Sequence, residues 1–163
     1  MKNLIWMTIL GAVSIAAGQN NPTGTSVLGQ TLTGAFGCNV SITSKLPPNF
    51  PTSFPGAISF FADGNVVAQG NGDGPAVIEH GVWLRTGDRT FRTTWIGFAQ
   101  DNSLKYTGPF KVYYNFRLDS DLNTLNGAYR VDFYDPSGAN KVFSFAGKAA
   151  CTRVTVDDFD DQP

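Results

Sequence analysis

Residues 110–118 constrain this chain more than any other stretch. Phe110, Val112, Tyr114, Phe116 and Leu118 take every second position, and Lys111, Tyr113, Asn115 and Arg117 lie between them. Successive side chains of a strand point to opposite faces, so this period of two describes a β-strand with one apolar and one polar face. The segment 128–134 repeats the pattern. Tyr129, Val131 and Phe133 share one face, with Arg130 and Asp132 opposite. The polar turn Asp119-Ser120-Asp121-Leu122-Asn123 joins the two.

The same punctuation recurs along the chain. Asp63-Gly64-Asn65 separates 57–61 from 66–69 as a tight hairpin would, and Thr86-Gly87-Asp88 separates 78–85 from 90–98. Asp135-Pro136-Ser137-Gly138 leads into 141–147, whose β-structure is expected to run on past Cys151. With 36–43 at the start, the count reaches about eight, and no segment sustains a helical period. Eight meandering strands predict an all-β, eight-stranded antiparallel up-and-down β-barrel. A β-sandwich is the competing architecture. The stretch 45–55 holds Pro47, Pro48, Pro51 and Pro55, with Phe50 and Phe54 between them. Proline cannot donate to a ladder, so a long loop is expected here, either folded over one barrel mouth or lying on the surface.

The ends of the chain read differently. Met1-Lys2 is cationic, 4–13 is apolar and uncharged, and Ala16 and Gly18 sit at the −3 and −1 positions of a small-residue cleavage site. The apolar run is too short to span a bilayer, which takes roughly 20 residues. Expected boundaries are a signal peptide at 1–18, a flexible leader at 19–32, a barrel domain at 33–156 and an acidic tail at 157–163. Export places the only two cysteines, Cys38 and Cys151, where oxidation favours a disulfide. That bond would hold the first strand beside the last, as a closed barrel requires.

Charge is nearly balanced, with a formal net charge of −1 and no basic patch, so nucleic acid is not an expected partner. Asp119-x-Asp121-x-Asn123 opens like a calcium loop, but Thr124 and Arg130 stand where the loop needs Gly and an acid. Gly70-Asn71-Gly72-Asp73-Gly74 lacks the Lys-Ser/Thr of a phosphate loop, and no Gly-x-Ser-x-Gly elbow is present. No metal or cofactor is expected.

Several short motifs carry a resemblance. Phe61-Ala62-Asp63-Gly64-Asn65-Val66, His80-Gly81-Val82-Trp83, Arg85-Thr86-Gly87 with Phe91, and Asp132-Phe133-Tyr134-Asp135-Pro136 with Gly138 resemble a group of secreted bacterial proteins with calycin-like, lipocalin-like barrels. The resemblance covers 56–153 and implies a barrel with a pocket. It departs from the transport lipocalins, which carry Gly-x-Trp on the first strand with a basic residue near the last strand covering the Trp. Here Gly81-Val82-Trp83 lies in mid-chain.

Aromatic side chains are the most suggestive content, because small-molecule pockets are mainly apolar and aromatic with a few polar groups. A filled core would use the same residues. The sequence leaves open which face of 110–118 lines the lumen. Were it the Lys111 face, Arg117 and Arg130 would be anchors for an anionic group. His80, Trp83, Trp95, Tyr113, Arg117 and Arg130 are therefore the candidate ligand-binding residues. The expected function is binding of a small, largely apolar molecule by a secreted or periplasmic barrel. The alternative is a barrel enzyme of cyclase or isomerase type, similar in architecture to allene oxide cyclase and dirigent barrels, using a Tyr, an Arg, Glu79 or His80. Polar-in alternation with an export signal would also suit an outer-membrane barrel. The acidic tail and short strands argue against that, and no membrane insertion is expected.

Overall fold

The computed structural model describes residues 32–48, 50–70 and 77–156. The expected signal peptide, most of the leader, the acidic tail and most of the Gly70–Gly74 cluster lie outside them. Eight strands follow in order: β1 Gly34–Ile42, β2 Ser53–Phe60, β3 Asn65–Gly70, β4 Val77–Gly87, β5 Thr90–Gln100, β6 Tyr106–Leu118, β7 Thr124–Tyr134 and β8 Lys141–Arg153. Each pairs antiparallel with the next, and β8 pairs with β1, which closes the barrel. Closure gives every strand a partner on both sides.

The observed strands extend the expected ones. β6 begins four residues earlier than its alternation suggests, after a register irregularity at Ala99/Gln100, and β8 runs past Cys151 to Arg153. One expectation needs correction: Pro55 lies inside β2 rather than in the loop before it. The β2–β3 ladder starts at Gly56↔Gly70, so Pro55 is flanked on only one side, by Asn39 of β1. It occupies a local edge, where a missing N–H is tolerated.

Cys38 and Cys151 face each other across the β1–β8 ladder and form a disulfide that links positions 113 residues apart. A disulfide is what an oxidising compartment permits.

Parity then sorts the side chains. On β6, Phe110, Val112, Tyr114, Phe116 and Leu118 turn inward and are buried, while Lys111, Asn115 and Arg117 are exposed outside. The interior is therefore apolar. One half of it is solid. Phe60 packs edge-on to Phe36 at 5.8 Å and against Phe116 at 5.4 Å, and Phe91 stacks on Phe116 at 5.5 Å. Leu32, Leu118 and Leu125 complete this plug, each with no exposed surface.

Arg153 seals the plugged end. Its guanidinium lies 4.5 Å from the centre of the Phe36 ring, donates through Nη1 to the Thr33 carbonyl at 2.8 Å, and through Nε and Nη2 to the Leu122 carbonyl. Gly34 makes this possible. Its φ is +133°, and a Cβ there would come within 2.7 Å of Arg153 Nη1. The sequence Gly34-Ala35-Phe36 on the first strand thus meets a basic residue at the end of the last.

Replacing both cysteines by serine should lower the unfolding free energy by about 2–5 kcal/mol, because the crosslink restricts a long loop of the unfolded chain. Urea unfolding checks this. A loss below about 0.5 kcal/mol would mean that the β1–β8 ladder holds the ends together without the bond.

Candidate functional site

The half of the barrel opposite the plug is hollow. It contains a cavity of about 370 Å³, inside the roughly 300–1,000 Å³ range of small-molecule pockets. Strand parity builds its walls. Ile58 and Ala68 of β2 and β3, Val112 of β6, Val131 of β7 and the Cys38–Cys151 disulfide give the aliphatic and sulfur surface. Trp95, Phe110, Tyr129, Phe133 and Phe145 give the aromatic surface. Phe50, from the segment between β1 and β2, reaches in and packs 5.7 Å from Phe145 and 6.2 Å from Phe143. The proline-containing segment is therefore folded over this mouth of the barrel.

One acid interrupts the apolar lining. Glu79 points inward from β4 and is only 6% exposed. It sits between two inward-facing glycines, Gly70 of β3 and Gly97 of β5. A Cβ at position 97 would overlap the Phe110 ring and approach Glu79 Cγ to 3.0 Å, so glycine there leaves room for both side chains. Burial raises the Glu79 carboxyl from 4.5 to about 7, against smaller downward pulls from the Trp95 side chain and the Gly70 amide. Desolvation outweighs hydrogen bonding here because a charge without a cation beside it is costly in an apolar site. No Lys, Arg or His is among the described residues that line the cavity.

Two further polar groups on lining side chains are buried: the Trp95 indole nitrogen, whose contact with the Glu79 carboxyl falls short of good hydrogen-bond geometry, and the Tyr129 hydroxyl, which has no partner among the described residues. Buried orphans of this kind are uncommon and call for an explanation. Tyr114 differs, since its hydroxyl donates to the Ala149 carbonyl at 3.1 Å. Burial pushes both phenols up, so they stay neutral across the physiological range.

Of the six ligand-binding candidates chosen from sequence, only Trp95 lines the cavity; Glu79, weighed there for the enzyme alternative, lines it too. Trp83 faces inward but belongs to the plug, between Phe60 and Phe91, with its indole N–H donating to the Phe61 carbonyl at 3.0 Å. His80 is exposed on the outer face of β4, and Arg117 is exposed on the outer face of β6. Tyr113 and Arg130 meet each other, also outside. The Arg130 guanidinium lies 4.6 Å from the Tyr113 ring centre and pairs with Asp132 at 3.2 Å. Lys141 and Ser144 converge on the same buried carboxylate. The outer face of the barrel thus carries an ion-pair cluster, and Glu79 is the one acid among the described residues that line the lumen. Phe110 was not among the candidates and shares the parity of Tyr114, while Glu79, a candidate only for the enzyme alternative, shares that of Val77 and Trp83.

Among the described residues no group of three or more His, Cys, Asp or Glu could hold a metal ion. Comparison with protein-family models, with curated proteins and with solved structures finds no match to this chain.

The raised Glu79 pKa has a signed consequence. Below pH 4.5 the carboxyl is protonated in both folded and unfolded chains and costs nothing. Between 4.5 and about 7 the unfolded chain releases its proton first, so stability falls as pH rises and levels off above 7. The loss is on the order of 3 kcal/mol at most. Glu79→Gln should remove this slope and be the more stable protein at about pH 8. Chemical denaturation of both proteins across the window checks it. An unchanged slope in the variant would assign the titration to another group.

Proposed function

We propose that this chain is an exported barrel protein that holds a small, largely apolar molecule in the cavity between Trp95, Phe110, Tyr129 and Phe145. One observation carries the reading: half of the interior is packed solid with aromatic rings, while the other half, built by the same strands, is left hollow. Protein interiors pack to crystal density, and a cavity of this size costs stability. A cavity retained at one end only is best explained by an occupant.

The reading has further support. The disulfide suits an oxidising compartment, and the amino-terminal sequence has the zones of an export signal. On β6 the alternation is apolar-in and polar-out, with Lys111, Asn115 and Arg117 outside, the reverse of what a lipid-embedded strand needs.

A second reading rests on Glu79 alone. A carboxyl titrating near 7 inside a largely apolar cavity is suited to move a proton to or from a bound substrate, as a barrel isomerase or cyclase would require. Conversion of the bound molecule into a new product by the protein, lost in Glu79→Gln, would favour it over simple binding.

Titration with the uncharged fluorescent probe prodan tests the main reading. Saturable binding at one site per chain is expected. Ala149→Phe, which fills the lumen from β8, should weaken it at least about tenfold while thermal unfolding stays within a few degrees. Equal affinity in the two proteins would place the probe somewhere other than the cavity.

A further inference from the structure

We propose that Glu79 makes this cavity selective for lipophilic amines, with the ammonium group against its carboxylate and the hydrocarbon against the aromatic walls, and that it excludes carboxylate ligands. The proposal rests on the cavity reading above. Its grounds are geometric. The cavity holds one acid and, among the described residues, no base. The acid stands in a gap made by Gly70 and Gly97, beside the Phe110 ring and on the strand next to Trp95. A carboxylate set in an aromatic-lined cavity is the physical complement of an alkylammonium ion with a hydrocarbon tail. The charge pairs with the acid, and the hydrocarbon packs against the rings.

The alternatives fit less well. A fatty acid would bring a second anion beside Glu79 with no cation to neutralise either. A neutral alcohol could hydrogen-bond to the acid but would leave it uncompensated when ionised. An amine offsets the desolvation that otherwise makes this side chain unfavourable.

The pH dependence follows from what surrounds the acid. Gly70 faces it from β3, Trp95 and Gly97 from β5, and Phe110 from β6, and none of these titrates. The remaining ionisable groups of the lining are the phenols of Tyr114 and Tyr129, which burial keeps neutral. The ammonium complex requires ionised Glu79. Amine affinity should therefore rise with pH to about 7, at up to about tenfold per unit, and then flatten.

Octylamine, octanol and octanoate, three probes with one hydrocarbon chain, test the proposal by displacement of prodan from the disulfide-intact protein. At about pH 8 octylamine should bind at least about tenfold tighter than octanol, and octanoate should be the weakest. Glu79→Gln should cancel the amine's advantage while changing octanol less than about threefold. Should that variant not fold, the ranking and pH profile of the unaltered protein decide the matter alone. Octanol equal to or tighter than octylamine, or an amine advantage that survives in Glu79→Gln, overturns the amine proposal and leaves the cavity reading standing. Failure of prodan and all three probes to bind overturns the cavity reading and the proposal with it.

Discussion

Everything in this structure depends on the β1–β8 ladder. Without it the eight strands would form an open sheet with two edges and no distinction between lumen and exterior. With it, each strand's alternation acquires a sense, inward or outward. The Cys38–Cys151 bond stands in that ladder as a directly opposed pair, so the covalent link and the hydrogen-bonded closure reinforce each other. Its sulfurs also form part of the cavity wall. The seam that makes the barrel is therefore also a surface of the site.

The two ends of the barrel divide the work. At the plugged end, β4 and β5 are joined by the two residues 88–89 and β2 and β3 by the four residues 61–64. Short connections bring the strands together over Phe36, Phe60, Phe91 and Phe116, and Arg153 fixes the seal. At the other end the ten residues 43–52 join β1 to β2 and lend Phe50 to the cavity. Rigidity at one end offsets the packing lost at the other. Glu79 fits the same division, because a buried carboxyl with no cation beside it lowers stability, and a site is where such a cost is retained.

The strands were legible because their alternation is a direct consequence of backbone geometry, and the disulfide because the chain's two cysteines fall on the first and last strands, which closure brings together. The inner face of β6 was not legible from β6 alone, since either parity gives a coherent strand. β4 misleads outright. Its outward residues include Ile78, Val82 and Leu84, 63%, 48% and 54% exposed, while its inward face carries Glu79. A reading that equates apolar with buried inverts this strand and brings His80 toward the lumen. Arg117, Arg130 and Tyr113 attracted notice by chemical type, yet they share parity with Lys111 and Asn115, which settles them outside once closure is known. Trp83 and Trp95 look equivalent in sequence. Only the position of each along its strand, near the plug or near the cavity, separates them. Pro55 in β2 needed the register of β3, which no local signal supplies.

Native mass spectrometry of the disulfide-intact protein, purified from its own host, tests the central claim most directly. The account predicts a discrete mass excess that disappears on denaturation and is absent from Ala149→Phe, and the released molecule should be apolar and carry a basic nitrogen. The bare mass of the chain, less two hydrogens for the Cys38–Cys151 bond, together with no uptake of added apolar probes, would contradict it and leave a structural barrel with an unused void.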